Sequence, residues 1–351
     1  MIIGNESCDL DSAVCALSLA YFYQNNKSYT LREDLKHFLP VLNIPKRDFP
    51  LKTEVRHLFK EYNIGEEVLT FRDELNEDFM KRNTFVLVDH HVSPWLEKCV
   101  EIFDHRPKDK DVVIPNKCEV HIDLVGSCAT LIAELYIKAK MLGDGEKVNL
   151  YLLRSTIVLD TVNFSESAAR ATPKDIEICS VLENALYQFG ELKERDVLFE
   201  SLVKARSDVS SLTASQLLRK DLKILISSKD VNIKIAIPGF PLPVQQFIMK
   251  PNAESAIKEF ASEMKCSVVF LMGMYVHPAD GSVHRDFGVI NIDNSHLSEL
   301  IEKSLIVTDE LKLLAESYKE CNFMEGSFYK QNNIRITRKH IIPIIKNIID
   351  Q

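Results

Sequence analysis

The sequence predicts an α/β protein: a doubly wound, mainly parallel sheet in an N-terminal domain, then a smaller α/β domain built on a mixed sheet. Three observations carry that expectation. Short apolar runs in the first half are continuous rather than alternating, the pattern of strands covered on both faces. Segments of helical length with a broad apolar face stand between those runs. At 351 residues, 46% of them hydrophobic, the chain has material for two domains of ordinary size.

Ile2 and Ile3 open a first strand, and residues 38–44 (FLPVLNI), 84–89 (TFVLVD) and 100–104 (VEIFD) read as further strands. Residues 12–24 (SAVCALSLAYFYQ) and 129–142 (ATLIAELYIKAKML) read as helices. From about 183 to 213 the text turns polar and helical with no strand signal, a connector between domains. Strand-like runs resume at 218–226, 232–240, 266–276 and 287–292, and Arg335, Arg338, Lys339 and His340 stand just before a last apolar helix. The expected division is 1–185, a helical linker over 186–213, and 214–351.

Net charge is −8, from 43 Lys and Arg against 51 Asp and Glu, so no basic field invites a nucleic-acid polymer. The eight cysteines (8, 15, 99, 118, 128, 179, 266, 321) include no CxxC pair, which argues against a disulfide framework or a zinc knuckle. The polar loop beginning at Asn5 leaves no room for a signal peptide, and the apolar run 266–276 is too short to cross a bilayer. A soluble cytoplasmic protein without a membrane partner is the expectation, with a mitochondrial one if a targeting segment precedes Met1.

Asp9 and Asp11 come directly after the first strand, and the runs 84–89 and 100–104 end in Asp89 and Asp104, with His90, His91 and His105 beside them. Asp160 closes the apolar stretch LLRSTIVLD. In doubly wound sheets ligands gather at the carboxyl ends of the strands. Carboxylates converging there with imidazole repel one another unless divalent cations sit among them. Oxygen ligands with one or two nitrogens suit Mg²⁺, Mn²⁺ or Co²⁺ better than a structural zinc, and an ion pair of this kind serves in-line attack at phosphorus. The plainer alternatives are helix caps for Asp9, Asp11 and Asp160, and a strand-end aspartate with a satisfied core histidine for Asp89 and His105.

The stretches GNESCDLDS (4–12), LVDHH (87–91), FDHRP (103–107), HIDLVGSCATL (121–131) and VLDTVNF with RATPKD (158–175) together resemble the DHH phosphoesterase superfamily. Within it the prune and exopolyphosphatase branch, related to family II inorganic pyrophosphatases, is the nearest likeness. LLRKDLK and ITRKHIIP resemble the accessory DHHA2 domain of that family. The resemblance implies a DHH domain, a DHHA2 domain and an active site in the cleft between them. It implies two divalent cations, Mg²⁺ first, with Mn²⁺ or Co²⁺ as alternatives, held by Asp9, Asp11, Asp89, His105 and Asp160.

Although residues 89–91 spell DHH, the family pattern assigns Asp89 as the bridging ligand and 104–106 (Asp-His-Arg) as the name-giving motif. Asn5 stands where the pyrophosphatases have a histidine ligand, which favours an oxygen-rich Mg²⁺ site. Asn5 and His90 are candidates for orienting the ligands, His90 being equally well a structural residue, and His91 is not expected to ligate. Arg106 replaces the family's second histidine; it can grip phosphate bidentately but cannot deliver a proton near neutral pH. Asp89, His105 and Arg106 are thus the expected catalytic group, with Arg106, Lys223, Arg338 and Lys339 binding substrate. Gly126-Ser127-Cys128 reads as a helix start, with substrate contact as the alternative that the resemblance implies. Arg170 and Lys174 are open between phosphate contact and plain surface.

The implied activity is an exopolyphosphatase acting on short inorganic polyphosphate such as tri- or tetraphosphate. Alternatives are a cyclic-nucleotide phosphodiesterase, or a weakly active signalling or scaffold protein on the same fold.

Overall fold

A computed structural model describes residues 1–29, 37–277, 280–308, 313–314 and 323–351. The chain divides into two compact units, Met1–Asp208 and Val209–Gln351.

The first unit runs β1 (Ile2–Ile3), α1 (Leu10–Asn25), β2 (Pro40–Val41), α2 (Thr53–Glu61), α3 (Glu77–Arg82), β3 (Phe85–Val88), β4 (Cys99–Asp104), β5 (Glu119–Ile122), α4 (Cys128–Lys138), α5 (Lys147–Asp160), α6 (Pro173–Leu186) and α7 (Arg195–Ser207). Its sheet is parallel throughout, in the order β2-β1-β3-β4-β5. Successive strand residues point to opposite faces. Ile2, Val86, Val88 and Phe103 therefore pack with Leu10, Val14, Ile132, Leu153 and Ile157 from the helices. Ile3, Val41, Phe85, Leu87 and Ile102 form a second core on the other face with Met80 and Trp95. Burial on both faces is why these strands read as unbroken apolar runs.

Strand β5 is an addition to the elements expected; it lies on the sheet edge and its residues are half-buried or exposed, so no apolar run announces it. The stretch expected as a linker is divided. Helix α7 belongs to the first unit, with Leu198 and Leu202 in the helical core, while residues from Val209 onward go with the second. The apolar stretch ending at Asp160 is the C-terminal part of a helix, α5.

The second unit runs α8 (Ala214–Lys220), β6 (Asp221–Ile226), β7 (Lys234–Phe240), α9 (Val244–Ile248), α10 (Ala253–Met264), β8 (Val268–Val276), β9 (Val283–Asn291), α11 (Ser295–Ile306), β10 (Leu313–Leu314), β11 (Ser327–Gln331) and α12 (Arg338–Ile349). Its mixed sheet has the order β10-β11-β9-β8-β7-β6, with β7 and β8 parallel and the other pairs antiparallel. Ile235, Ile237, Val268, Phe270 and Phe287 face Ile301 and Leu305 of α11 and Ile341, Ile345 and Ile349 of α12.

Two boundaries differ from expectation. Residues 218–220 end a helix rather than begin a strand, because Thr213 accepts the Gln216 N–H and buries Leu217 and Leu218 behind that cap. Arg338, Lys339 and His340 form the first turn of α12 instead of preceding it. Cysteines 8, 15, 99, 118, 128, 179 and 266 are free thiols; Cys321 lies outside the described residues. Among the described residues no helix is long and apolar enough to cross a membrane.

Candidate active site in the first unit

The strand order reverses between β1 and β3, where an open α/β sheet leaves a crevice at its carboxyl edge. Asp9 and Asp11 enter it from the β1–α1 junction, Asp89 from the end of β3, and His105 and Arg106 from the end of β4. Together with Asp160, the last residue of α5, all six line one cleft of roughly 570 Å³.

Each carboxylate is held differently. Asp9 caps α1, accepting the Ser12 N–H at 3.2 Å. Asp11 is buried and receives Ser127 Oγ (3.0 Å) and the Cys128 and Ala129 amides (2.7 and 2.8 Å), so it also caps the start of α4. Asp89 takes a left-handed backbone, φ +63°, which short polar side chains such as aspartate tolerate best. Its Oδ2 accepts Asn5 Nδ2 at 2.6 Å and Ser12 Oγ at 2.8 Å. The other oxygen, Oδ1, is buried without a well-directed hydrogen bond, and its neighbours are His105 Nε2 at 3.2 Å and Arg106 at 3.7 Å. Oδ2 of Asp160 is likewise buried and unpartnered.

Burial and mutual repulsion dominate the electrostatics. Burial, then the Asp89 charge, raises the Asp9 carboxyl and lifts Asp11 to about 7. Asp160 is pushed well above the usual carboxylate range by burial and the charges of Asp11 and Asp9. Burial works against the charged form of His105, yet Asp89 and Asp11 outweigh it and carry the imidazole up to about 9.

A divalent cation fits this donor set. One ligand atom each from Asp11, Asp89 and His105 lie within 4.8 Å of one another. His105 Nδ1 donates to the Val125 carbonyl at 2.9 Å, which leaves Nε2 facing the carboxylates, the tautomer a ligating histidine needs. A buried carboxylate oxygen with no hydrogen-bond donor, as on Asp160, is costly unless a cation satisfies it, and Asp89 Oδ1 has only the approaches of His105 Nε2 and Arg106.

The DHHA2 domain family matches residues 200–348. Human exopolyphosphatase PRUNE1 is 33% identical over 364 residues, an alignment spanning 99% of this chain and 75% of that one. The chain belongs to the prune branch of the DHH phosphoesterase superfamily. Within that superfamily, a manganese-dependent inorganic pyrophosphatase of Methanocaldococcus jannaschii is 25% identical, over 63% of this chain and 66% of its own. The crystal structure of a Methanococcus jannaschii protein described as a family II inorganic pyrophosphatase shares the fold, with TM-score 0.53 at 19% identity over 99% of this chain and 98% of that one.

Other candidate residues of this prune-branch chain stand outside the carboxylate cluster. His90 donates from Nδ1 to the Val88 carbonyl (3.0 Å), and burial lowers its pKa; it lines a neighbouring hollow with Asn5 and Arg106 rather than the carboxylate cleft. His91 is buried, its Nδ1 bonded to Asp104 and its Nε2 accepting the Asp109 N–H at 2.8 Å. Asp104 in turn receives the amides of His105 (2.7 Å) and Arg106 (3.2 Å), so it orients that loop instead of facing the cleft.

Lys223, Arg338 and Lys339 lie on the second unit. Lys223 and Lys339 are exposed, whereas both terminal nitrogens of Arg338 are committed to Asp221, at 2.7 Å to its carbonyl and 2.7 and 2.8 Å to its carboxylate. Sequence reasoning misses Ser12, Glu54 and Arg206. Ser12 stands beside Asp11 in the DLDS motif, a signal that could have found it. Glu54 and Arg206, paired at 3.8 Å, come from α2 and α7 and carry no local signal.

Proposed function

We propose that this cleft hydrolyses phosphoanhydride bonds of short inorganic polyphosphates with the help of divalent cations, two in number and Mg²⁺ by preference. The observation that carries the reading is the pair of buried oxygens without a hydrogen bond, on Asp89 and Asp160, within a cluster of four carboxylates and one imidazole. Asp9, Asp11, Asp89, His105 and Asp160 would hold the cations. When bound, such ions neutralise phosphate charge and supply water activation.

The chain's own residues do the rest. Asn5 and Ser12 fix the Asp89 carboxylate through Oδ2 and leave Oδ1 turned to the cleft. Arg106, with its side chain 56% exposed, is placed to grip phosphate in a fork, and its backbone is steadied by Asp104. Having no proton to give near neutral pH, it binds and orients, and the leaving phosphate takes its proton from solvent. For Lys223, Arg338 and Lys339 we propose phosphate contact on the strength of the family resemblance. Oxygen ligands, with a single imidazole and Asn5 in place of a further nitrogen, support Mg²⁺ over more nitrogen-seeking ions.

The test is phosphate release from tri- and tetrapolyphosphate with Mg²⁺, comparing the wild type with Asp89→Asn and Asp160→Ala. Release that falls by two orders of magnitude or more in both variants is the expected result. Wild-type release no greater than that of the variants refutes the reading and favours a binding protein on this fold.

A further inference from the structure

We infer that Arg170 binds a third phosphate of the substrate, beyond the two joined by the bond that breaks, and so favours chains of three or more phosphates over pyrophosphate. This rests on the phosphoanhydride reading above.

Arg170 lines the carboxylate cleft and is exposed to it. Among the described residues its guanidinium makes no hydrogen bond or ion pair. The neighbouring cations differ. Lys174 is held by Asp123 and Glu134 at 3.0 and 2.9 Å, and Arg206 sits 3.8 Å from Glu54. An uncommitted guanidinium beside a cluster of carboxylates is not there to neutralise them, because none of the described ones lies within ion-pair distance of it. It is available to an anion brought in from outside, and a fork of donors suits phosphate.

The backbone around Arg170 is fixed, so the side chain starts from a set position. Beyond Asp160 the chain turns through three successive left-handed residues, Val162, Asn163 and Phe164, with φ of +53°, +50° and +60°. Such a run persists only where the surroundings enforce it. It returns residues 170–172 to the edge of the cleft, where the Arg170 carbonyl would lie 2.9 Å from a Cβ at Gly126, so only glycine fits there.

Asp175 clamps the two segments together. Its Oδ2 accepts the Gly126 N–H (2.8 Å), the Thr172 N–H (2.7 Å) and the Thr172 hydroxyl (2.7 Å), and Oδ1 accepts Thr130 Oγ1 (2.6 Å). A clamp of this strength on a loop that carries an uncommitted cation is the arrangement of a preformed binding contact, which loses little freedom on engaging its ligand.

The test is steady-state hydrolysis of pyrophosphate and tripolyphosphate by wild type, Arg170→Ala and Arg170→Lys, with calorimetric titration of tripolyphosphate in Mg²⁺. Arg170→Ala is expected to raise KM for tripolyphosphate about tenfold, the effect of one charge-assisted hydrogen bond, and at least threefold more than for pyrophosphate. Arg170→Lys should recover part of it. Equal KM changes for both substrates, or none, overturn the inference. Should the wild type hydrolyse neither, the hydrolase reading fails and the titration decides alone: weaker binding by Arg170→Ala sustains the contact, and unchanged binding removes it.

Discussion

The metal-free first unit should lose stability as pH rises and recover it when a divalent cation is added. Asp11 titrates at about 7 in the folded protein against 3.8 when unfolded, with burial as the main cause and the Asp89 charge second. Three pH units correspond to about 4 kcal/mol of unfavourable free energy once that carboxyl is ionised. Between about pH 4 and 7 the folded state holds a proton that the unfolded state has released, so stability falls with rising pH and the full cost is present above 7. A cation bound at about a hundred times its dissociation constant contributes about 2.7 kcal/mol. For a unit of 208 residues that is roughly 5–10 °C in Tm.

The assay is thermal melting with chelator or with Mg²⁺ or Mn²⁺, at about pH 5, 6.5 and 8. Asp89→Asn serves as control: asparagine accepts the left-handed backbone, keeps an oxygen for Asn5 Nδ2 and Ser12 Oγ, and removes the charge that helps to raise Asp11. With chelator this variant should melt no lower than wild type, and it should have lost most of the metal response. A chelated wild type whose Tm rises with pH, or a metal-induced shift equal in both proteins, would refute the reasoning.

Buried or committed groups elsewhere give two more expected outcomes. Asp175→Ala leaves four donors without their acceptor in a fully buried position, and should destabilise by about 3–5 kcal/mol in denaturant titrations. Asp221→Ala breaks the fork of Arg338; the exposed side of that pair keeps the stability cost below about 1 kcal/mol. If Arg338 meets phosphate it must first leave Asp221, so the variant's KM for tripolyphosphate should drop, and an unchanged or raised KM would count against that role.

Where the fold was legible, the reason is the two-faced burial of the first sheet. Phe85–Val88 and Cys99–Asp104 are apolar on both sides, so they stand out as runs and their ends can be located. Because β1, β3 and β4 are neighbours and parallel, the loops leaving their carboxyl ends converge, and the positions of Asp9, Asp11, Asp89 and His105 could be read together. Edge strand β5 lacks that contrast and escaped notice. The 218–221 boundary depends on a cap at Thr213, a short-range signal masked by the apolar residues after it. Neither the hold of Asp221 on Arg338, 117 positions away, nor that of Asp175 on Gly126, 49 positions away, has any local trace in the sequence. Long-range polar partners are set by topology, and a linear pattern does not show them.

Asp11 faces the cluster with the same carboxylate that secures the first turn of α4. Of the donor set, Asp11 is therefore tied directly to the backbone that opens α4. Calcium holds its oxygens several tenths of an ångström farther out than magnesium does. Were Asp11 to hold a cation, seating calcium in magnesium's place would pull on the amides of Cys128 and Ala129, so a preference by ionic radius would draw on the helix behind the cleft as well as on the ligands that line it.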